Sequence, residues 1–157
     1  MNIKKHWLKS LAVAAVAAMA SANASADVVA AVTANGGATL NEAPMNIPGM
    51  KTPAFAHPAG QLVATYSAEC YAGEGPPSKS RNLVAVRIIV LDASGNQVAT
   101  LSPQESVFCS AGSERGTHSF TGVATLPRGT YRVLVRARLG EERASGWVGP
   151  GSLVVLR

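Results

Sequence analysis

Two cysteines, Cys70 and Cys109, carry the most readily assigned chemistry in this chain. There is no CxxC motif, and neither thiol has a histidine near it in sequence, which leaves a metal or catalytic thiol site poorly supplied. In an oxidising compartment the pair reads as one disulfide. Closing a loop of about 40 residues contributes on the order of 4 kcal/mol in the chain-entropy treatment.

Hydrolysis by a Ser/His/Asp relay needs a base within hydrogen-bond reach of a nucleophile. Beyond residue 26 the chain has only His57 and His118, and its only aspartates are Asp27 and Asp92. No GxSxG-type motif presents a nucleophile. His118, in Thr117-His118-Ser119, reads as a half-buried strand residue, and His57, ahead of Pro58, as a surface residue. Asp92-x-Ser94-x-Asn96 has the alternating oxygens of a calcium loop, but the place of its bidentate Glu is Pro103, so it reads as a hairpin turn. Glycoside cleavage requires two carboxyls about 5–10 Å apart. Glu69, Glu74 and Glu105 are of the right type and could meet in the fold, but spacing alone does not show it, and Glu141-Glu142 is an adjacent pair in a loop. No catalytic residue, metal set or cofactor is expected.

Binding residues are better supplied. Sugar recognition without hydrolysis needs exposed aromatic platforms, and Tyr71, Phe108 and Trp147 fall near strand ends or loops. The competing assignment is that they cap the core. Arg132, Arg136 and Arg138 project from one face of one strand, and Arg87 lies on a strand that could neighbour it. Such a row reads as a solvated face that discourages edge pairing. It also suits an anionic partner such as lipopolysaccharide, an acidic polysaccharide or a protein surface. With Leu134 among the arginines, an oligomer interface is a third reading.

The elements that must position these residues begin after a leader. Lys4, Lys5 and Lys9 precede the apolar run Leu11 to Ala20, and Ala24-Ser25-Ala26 supplies a small-residue cleavage pattern. Met1 to Ala26 therefore reads as a secretory signal peptide, with a mature chain from Asp27 in the periplasm or outside the cell. Removing 26 of the 157 residues leaves 131, one domain's worth. Three of the 14 basic residues go with the leader, leaving 11 against nine acids, a net charge of +2. Without a Lys/Arg cluster, that charge leaves no nucleic-acid footprint. No later stretch is apolar enough to span a membrane.

Asp27 to Leu40 is a short apolar stretch ending in Asn35-Gly36-Gly37, a turn signal. Residues 41 to 60 hold Pro44, Pro48, Pro53 and Pro58, which exclude a helix and interrupt any ladder. This segment is expected to be a strap, packed on the domain through Met45, Ile47, Met50 and Phe55. Strands follow from residue 61 to the end. Leu62 to Tyr71 alternates. Leu83 to Leu91 is apolar on both faces apart from Arg87, which calls for cover from the strap or from another subunit. Asp92 to Asn96 turns the chain into Gln97 to Leu101. Val107 to Cys109 and Thr117 to Leu126 follow. Thr130 to Leu139 sets Tyr131, Val133, Val135, Ala137 and Leu139 against Arg132, Leu134, Arg136 and Arg138, and Ser152 to Leu156 closes the domain. No window shows a convincing helical period. Seven or eight short strands at this spacing point to an antiparallel β-sandwich.

The segments LVATYSAEC (62–70), VFC (107–109), YRVLVRARL (131–139), Gly146-Trp147 and SLVV (152–155), in that order, resemble a group of uncharacterised secreted bacterial β-sandwich proteins with a Cys pair. The resemblance covers about two-thirds of the mature chain. It implies a jelly-roll-like sandwich, similar in outline to the trimeric tumour-necrosis-factor-like domains, and it carries no activity. The expectation is an all-β protein, a jelly-roll or immunoglobulin-like sandwich with one disulfide. It divides into a leader (1–26), an N-terminal strand with strap (27–60) and the sandwich (61–157). Its expected role is non-enzymatic binding or assembly at the cell envelope, with a glycan or protein partner and a possible homo-oligomer. The alternatives are a fibre or pilus subunit using Val28, Ala30 and Val32 as a donor strand, and an envelope enzyme or enzyme inhibitor.

Overall fold

Period-two alternation in the long strands sorts this chain into two layers. The computed structural model describes residues 26–73, 83–110, 115–140 and 145–157. All of the expected leader but Ala26, and also Glu74, Glu141 and Glu142, lie outside the described residues. The strands are β1 (Val28–Ala34), β2 (Ala38–Thr39), β3 (Met45–Lys51), β4 (Phe55–His57), β5 (Gly60–Ala72), β6 (Leu83–Leu91), β7 (Gln97–Thr100), β8 (Ser106–Ser110), β9 (Gly116–Leu126), β10 (Gly129–Leu139) and β11 (Gly146–Leu156).

One sheet runs β1-β11-β5-β9, with β2 also on β11. The other runs β3-β10-β6-β7, with β4 on β10 and β8 on β6. Every pairing is antiparallel. β1 and β2 lie end to end along β11, β3 and β4 along β10, and β7 and β8 along β6. Taken as three broken strands, they reduce the fold to eight strands ordered 1-8-3-6 and 2-7-4-5, which is a jelly roll and not an immunoglobulin arrangement.

The inward residues alternate as the sequence requires. Leu62, Ala64 and Tyr66 of β5 face Val84, Val86 and Ile88 of β6 and Val133 and Val135 of β10 in one continuous core. Burying these side chains, about 1.5–3 kcal/mol for each large one, is the main driving force for closing the two sheets on each other.

The Pro-rich strap departs from expectation. It supplies β3 and β4, at the edge of the second sheet, instead of lying over a sheet face. Prolines are tolerated there because an edge strand leaves one row of amides unpaired. Pro48 falls inside the register break of β3. Buried Thr52 bridges β3 to β4, its Oγ1 accepting from Val133 N at 2.9 Å and its N donating to Val133 O at 2.9 Å. Ile47, Met50 and Phe55 enter the inter-sheet core, so the strap does not cover the outer side of β6. That side is packed within its own sheet, where Ile89 and Leu91 cluster with Leu134.

Candidate functional site

Cys70 lies in the inward row of β5, one inward position before Ala72, and Cys109 lies on β8, so the disulfide joins the two sheets, with Cα atoms 6.1 Å apart. Both cysteines are buried. The bond pins the end of the sandwich where β8 packs against β5 and β9.

The residues that hydrolysis would need are scattered. Glu69 faces out from the first sheet and Glu105 from the second, so the sandwich stands between them. The Asp92 carboxylate belongs to its own turn, where Oδ1 accepts from Asn96 N at 2.9 Å and Oδ2 from Asn96 Nδ2 at 3.3 Å. The backbone bond from Asn96 holds its pKa below the ordinary value. His57 is 2% exposed, not the surface residue expected, because pairing of β4 with β10 draws it in beside Tyr131. Its Nε2 is 3.4 Å from Gly60 O, and its Nδ1 has no partner. An open cleft of about 850 Å³ runs past it, between Arg128 and Arg157. His118 is half-buried on β9 with its ring 5.7 Å from Phe108. Among the described residues, no group of three or more His, Cys, Asp or Glu could hold a metal, and no helix is long and apolar enough to cross a membrane.

The arginine row is brought together with Arg87. β10 and β6 pair with Arg136 opposite Arg87, Arg138 opposite Ala85, Leu134 opposite Ile89 and Arg132 opposite Leu91. All four arginines therefore share the outer face of the second sheet. Glu105, between β7 and β8, accepts from Arg138 Nη2 at 2.6 Å and Nε at 3.3 Å, and from Arg87 Nε at 2.5 Å. These bonds, that from Arg138 foremost, hold the Glu105 pKa below its ordinary value. Arg136 Nε donates to Asn46 Oδ1 at 2.9 Å and Arg132 Nη1 to Ala93 O at 3.3 Å. Sequence reasoning missed Glu105 in this role. Its only signal is an acid in a polar loop, and the ladder register is what brings it between two arginines.

Two of the three aromatic candidates meet. Trp147 on β11 pairs with Tyr71 on β5, both on the outer face of the first sheet. The indole lies across Gly37 and Gly149, where a Cβ would collide with the ring, and Arg115 Cζ sits 4.9 Å from its centroid. Tyr71 is 39% exposed. Phe108 does not join them. It is buried, because β8 turns it inward to stack on Tyr66 with ring centroids 5.2 Å apart.

Fold and site together define a disulfide-linked jelly-roll sandwich with one basic face and one aromatic-ended face. No family model matches the chain, and no curated protein is similar to it in sequence. Solved structures are similar in fold. The VP2 subviral particle of infectious bursal disease virus superposes with a TM-score of 0.54 at 11% identity, covering 80% of this chain. The structure of the Gt strain of that virus gives a TM-score of 0.50 at 12% identity, covering 83%. This chain spans 31% and 32% of those viral chains. The likeness is one of fold.

Proposed function

We propose that the protein is an exported, non-enzymatic binding module of the cell envelope, and that it holds an anionic partner on the outer face of the second sheet. The observation that carries the reading is the charge on that face: Arg87, Arg132, Arg136 and Arg138 stand there with Glu105 between two of them. Neutral or acidic neighbours already orient each guanidinium, and every one keeps further N–H donors for a ligand. Oriented donors lose less entropy on binding, and a guanidinium suits the two-point recognition of carboxylate, sulfate or phosphate. Export is supported by the leader pattern and by a disulfide that an oxidising compartment would preserve. A non-catalytic role is supported by the separation of Glu69 from Glu105 and by the use of Asp92 in its own turn.

The test uses the mature chain against dextran sulfate, with neutral dextran as reference. Arg132 and Arg136 bond only to neutral acceptors, so replacing both by Gln leaves the Glu105 pairs in place. The double variant should bind dextran sulfate at least tenfold more weakly, and the affinity of the parent chain should fall with added salt. Equal binding by parent and variant would remove the basic face from the function.

A further inference from the structure

The outer face of the first sheet has a character that no single strand reveals. Register aligns Thr33, Ser152, Ser67 and Ser119 in one row across four strands. The next row places Val154, Thr65 and Thr121 side by side. Ser67 Oγ and Ser119 Oγ are 2.7 Å apart, and Thr65 Oγ1 and Thr121 Oγ1 are 2.9 Å apart. Each such pair uses one of its two protons internally, leaving a second donor and several lone pairs for a ligand. Among the outward positions of β5, β9 and β11, Glu69 alone is charged. At one end the rows reach Tyr71 beside Trp147.

Protein surfaces in water ordinarily mix both signs of charge at high density. A flat face nearly free of charge, with ordered hydroxyls about 4.8 Å apart across strands and about 7 Å along them, is matched to a ligand that is itself neutral and rich in hydroxyls. The Ser/Thr rows themselves are polar, so a second copy seated on them would gain little from the hydrophobic effect; the apolar row of Val28, Leu156, Val63 and Val123 lies beside them, on the side away from Trp147. Among the described residues, no cation stands in the Ser/Thr rows, and Arg115 lies at the Trp147 end. We infer that this face binds a neutral polysaccharide laid across the Ser/Thr rows, with Tyr71 as the aromatic stop against which a sugar ring packs its apolar face. The surface is opposite the arginine row, so it stands or falls separately from the anion-binding reading.

The experiment is affinity electrophoresis of the mature chain in gels holding galactomannan or mixed-linkage β-glucan, together with depletion by cellulose and chitin. Tyr71→Ala removes the ring. Ser119→Lys places a charge among the hydroxyls, and Ser94→Lys adds the same charge at the exposed β6–β7 hairpin tip, outside the Ser/Thr rows. Circular dichroism melts confirm that each variant folds. Retention on at least one of the four neutral glycans is expected. It should fall at least tenfold in Tyr71→Ala and in Ser119→Lys and persist in Ser94→Lys. Three results would overturn the inference: no retention on any of the four, equal retention by both sheet-face variants, or a concentration-dependent dimer that Ser119→Lys dissolves. The last would make a second copy the occupant.

Discussion

Arg87 and Arg136 stand directly opposite each other across the β6–β10 ladder. Like charges so placed weaken an antiparallel pair, and here Glu105 draws one guanidinium aside while Asn46 holds the other. The residual repulsion is screened by salt. Arg136→Gln should therefore raise stability by about 0.2–1 kcal/mol at low ionic strength, and the gain should shrink in high salt. Thermal melts at two salt concentrations check this. A variant less stable than the parent at low salt would show that Arg136 contributes more through Asn46 than it costs beside Arg87.

Glu105 gives the same face a pH dependence. Its folded pKa lies below the ordinary 4.5, chiefly through the Arg138 bond, so its stabilising contribution is present above that value and is lost as pH falls through the folded pKa. Both partners are partly exposed, which limits each ion pair to about 0.2–1 kcal/mol. Glu105→Gln should lower stability at pH 7 and leave it nearly unchanged at pH 2, so the two curves converge in acid. Parallel curves down to pH 2 would remove the ion pairs as the cause.

The Cys70–Cys109 bond links the sheets over a sequence separation of 39. Its reduction should cost on the order of 4 kcal/mol, a large share of a domain's stability of about 5–15 kcal/mol. A chain starting at Asp27 should show no free thiol when denatured without reductant. Its melting temperature should drop sharply once reductant is added. A titre of two thiols before reduction would rule the bond out.

Tyr66 is fully buried, stacked on Phe108, and its hydroxyl has no partner. Burial pushes its pKa well above the ordinary 10.0, so stability present below that value declines as pH rises past it. A buried hydroxyl left unpaired costs about 1–3 kcal/mol, and phenylalanine keeps the ring without it. Tyr66→Phe should therefore stabilise the protein by about 1 kcal/mol and remove part of its alkaline sensitivity. Urea unfolding at pH 7 and pH 11 measures both effects. Destabilisation at pH 7 would mean that the hydroxyl bonds to something, such as a buried water.

Much of the frame is legible in single strands. The bounds of β6 follow from its apolar run, and the inward rows of β5 and β10 from alternation, because each depends on neighbouring residues alone. What escapes is set by pairing. β3 and β4 look unfit for a ladder until they are placed at an edge beside β10. His57 reads as a surface residue and Phe108 stays open between platform and core cap, since neither strand is long enough to declare its inward side. Glu105 meets Arg87 and Arg138 across 18 and 33 residues of sequence. The hydroxyl rows cross four strands that are not consecutive in the chain, so alternation shows which side each residue takes but not which residues align.

Gly149 controls the aromatic end of the first sheet. A Cβ there would meet the far edge of the Trp147 ring at less than van der Waals distance, and Gly37 sits equally close to the ring's nitrogen side. The absence of both side chains lets the indole lie flat on the sheet with Arg115 above it. Gly149→Ala must lift the ring, at a cost of about 1–3 kcal/mol for overpacking. The chain has two tryptophans, Trp7 and Trp147, and only the second follows Asp27, so in a chain starting at Asp27 fluorescence reports on this ring alone. Emission from Gly149→Ala should shift to the red as the indole enters water. Arg115→Ala should produce a smaller red shift with little loss of stability, because it uncovers the ring without moving it. Unchanged emission in Gly149→Ala would show that the strand, not the ring, yields to the added methyl group.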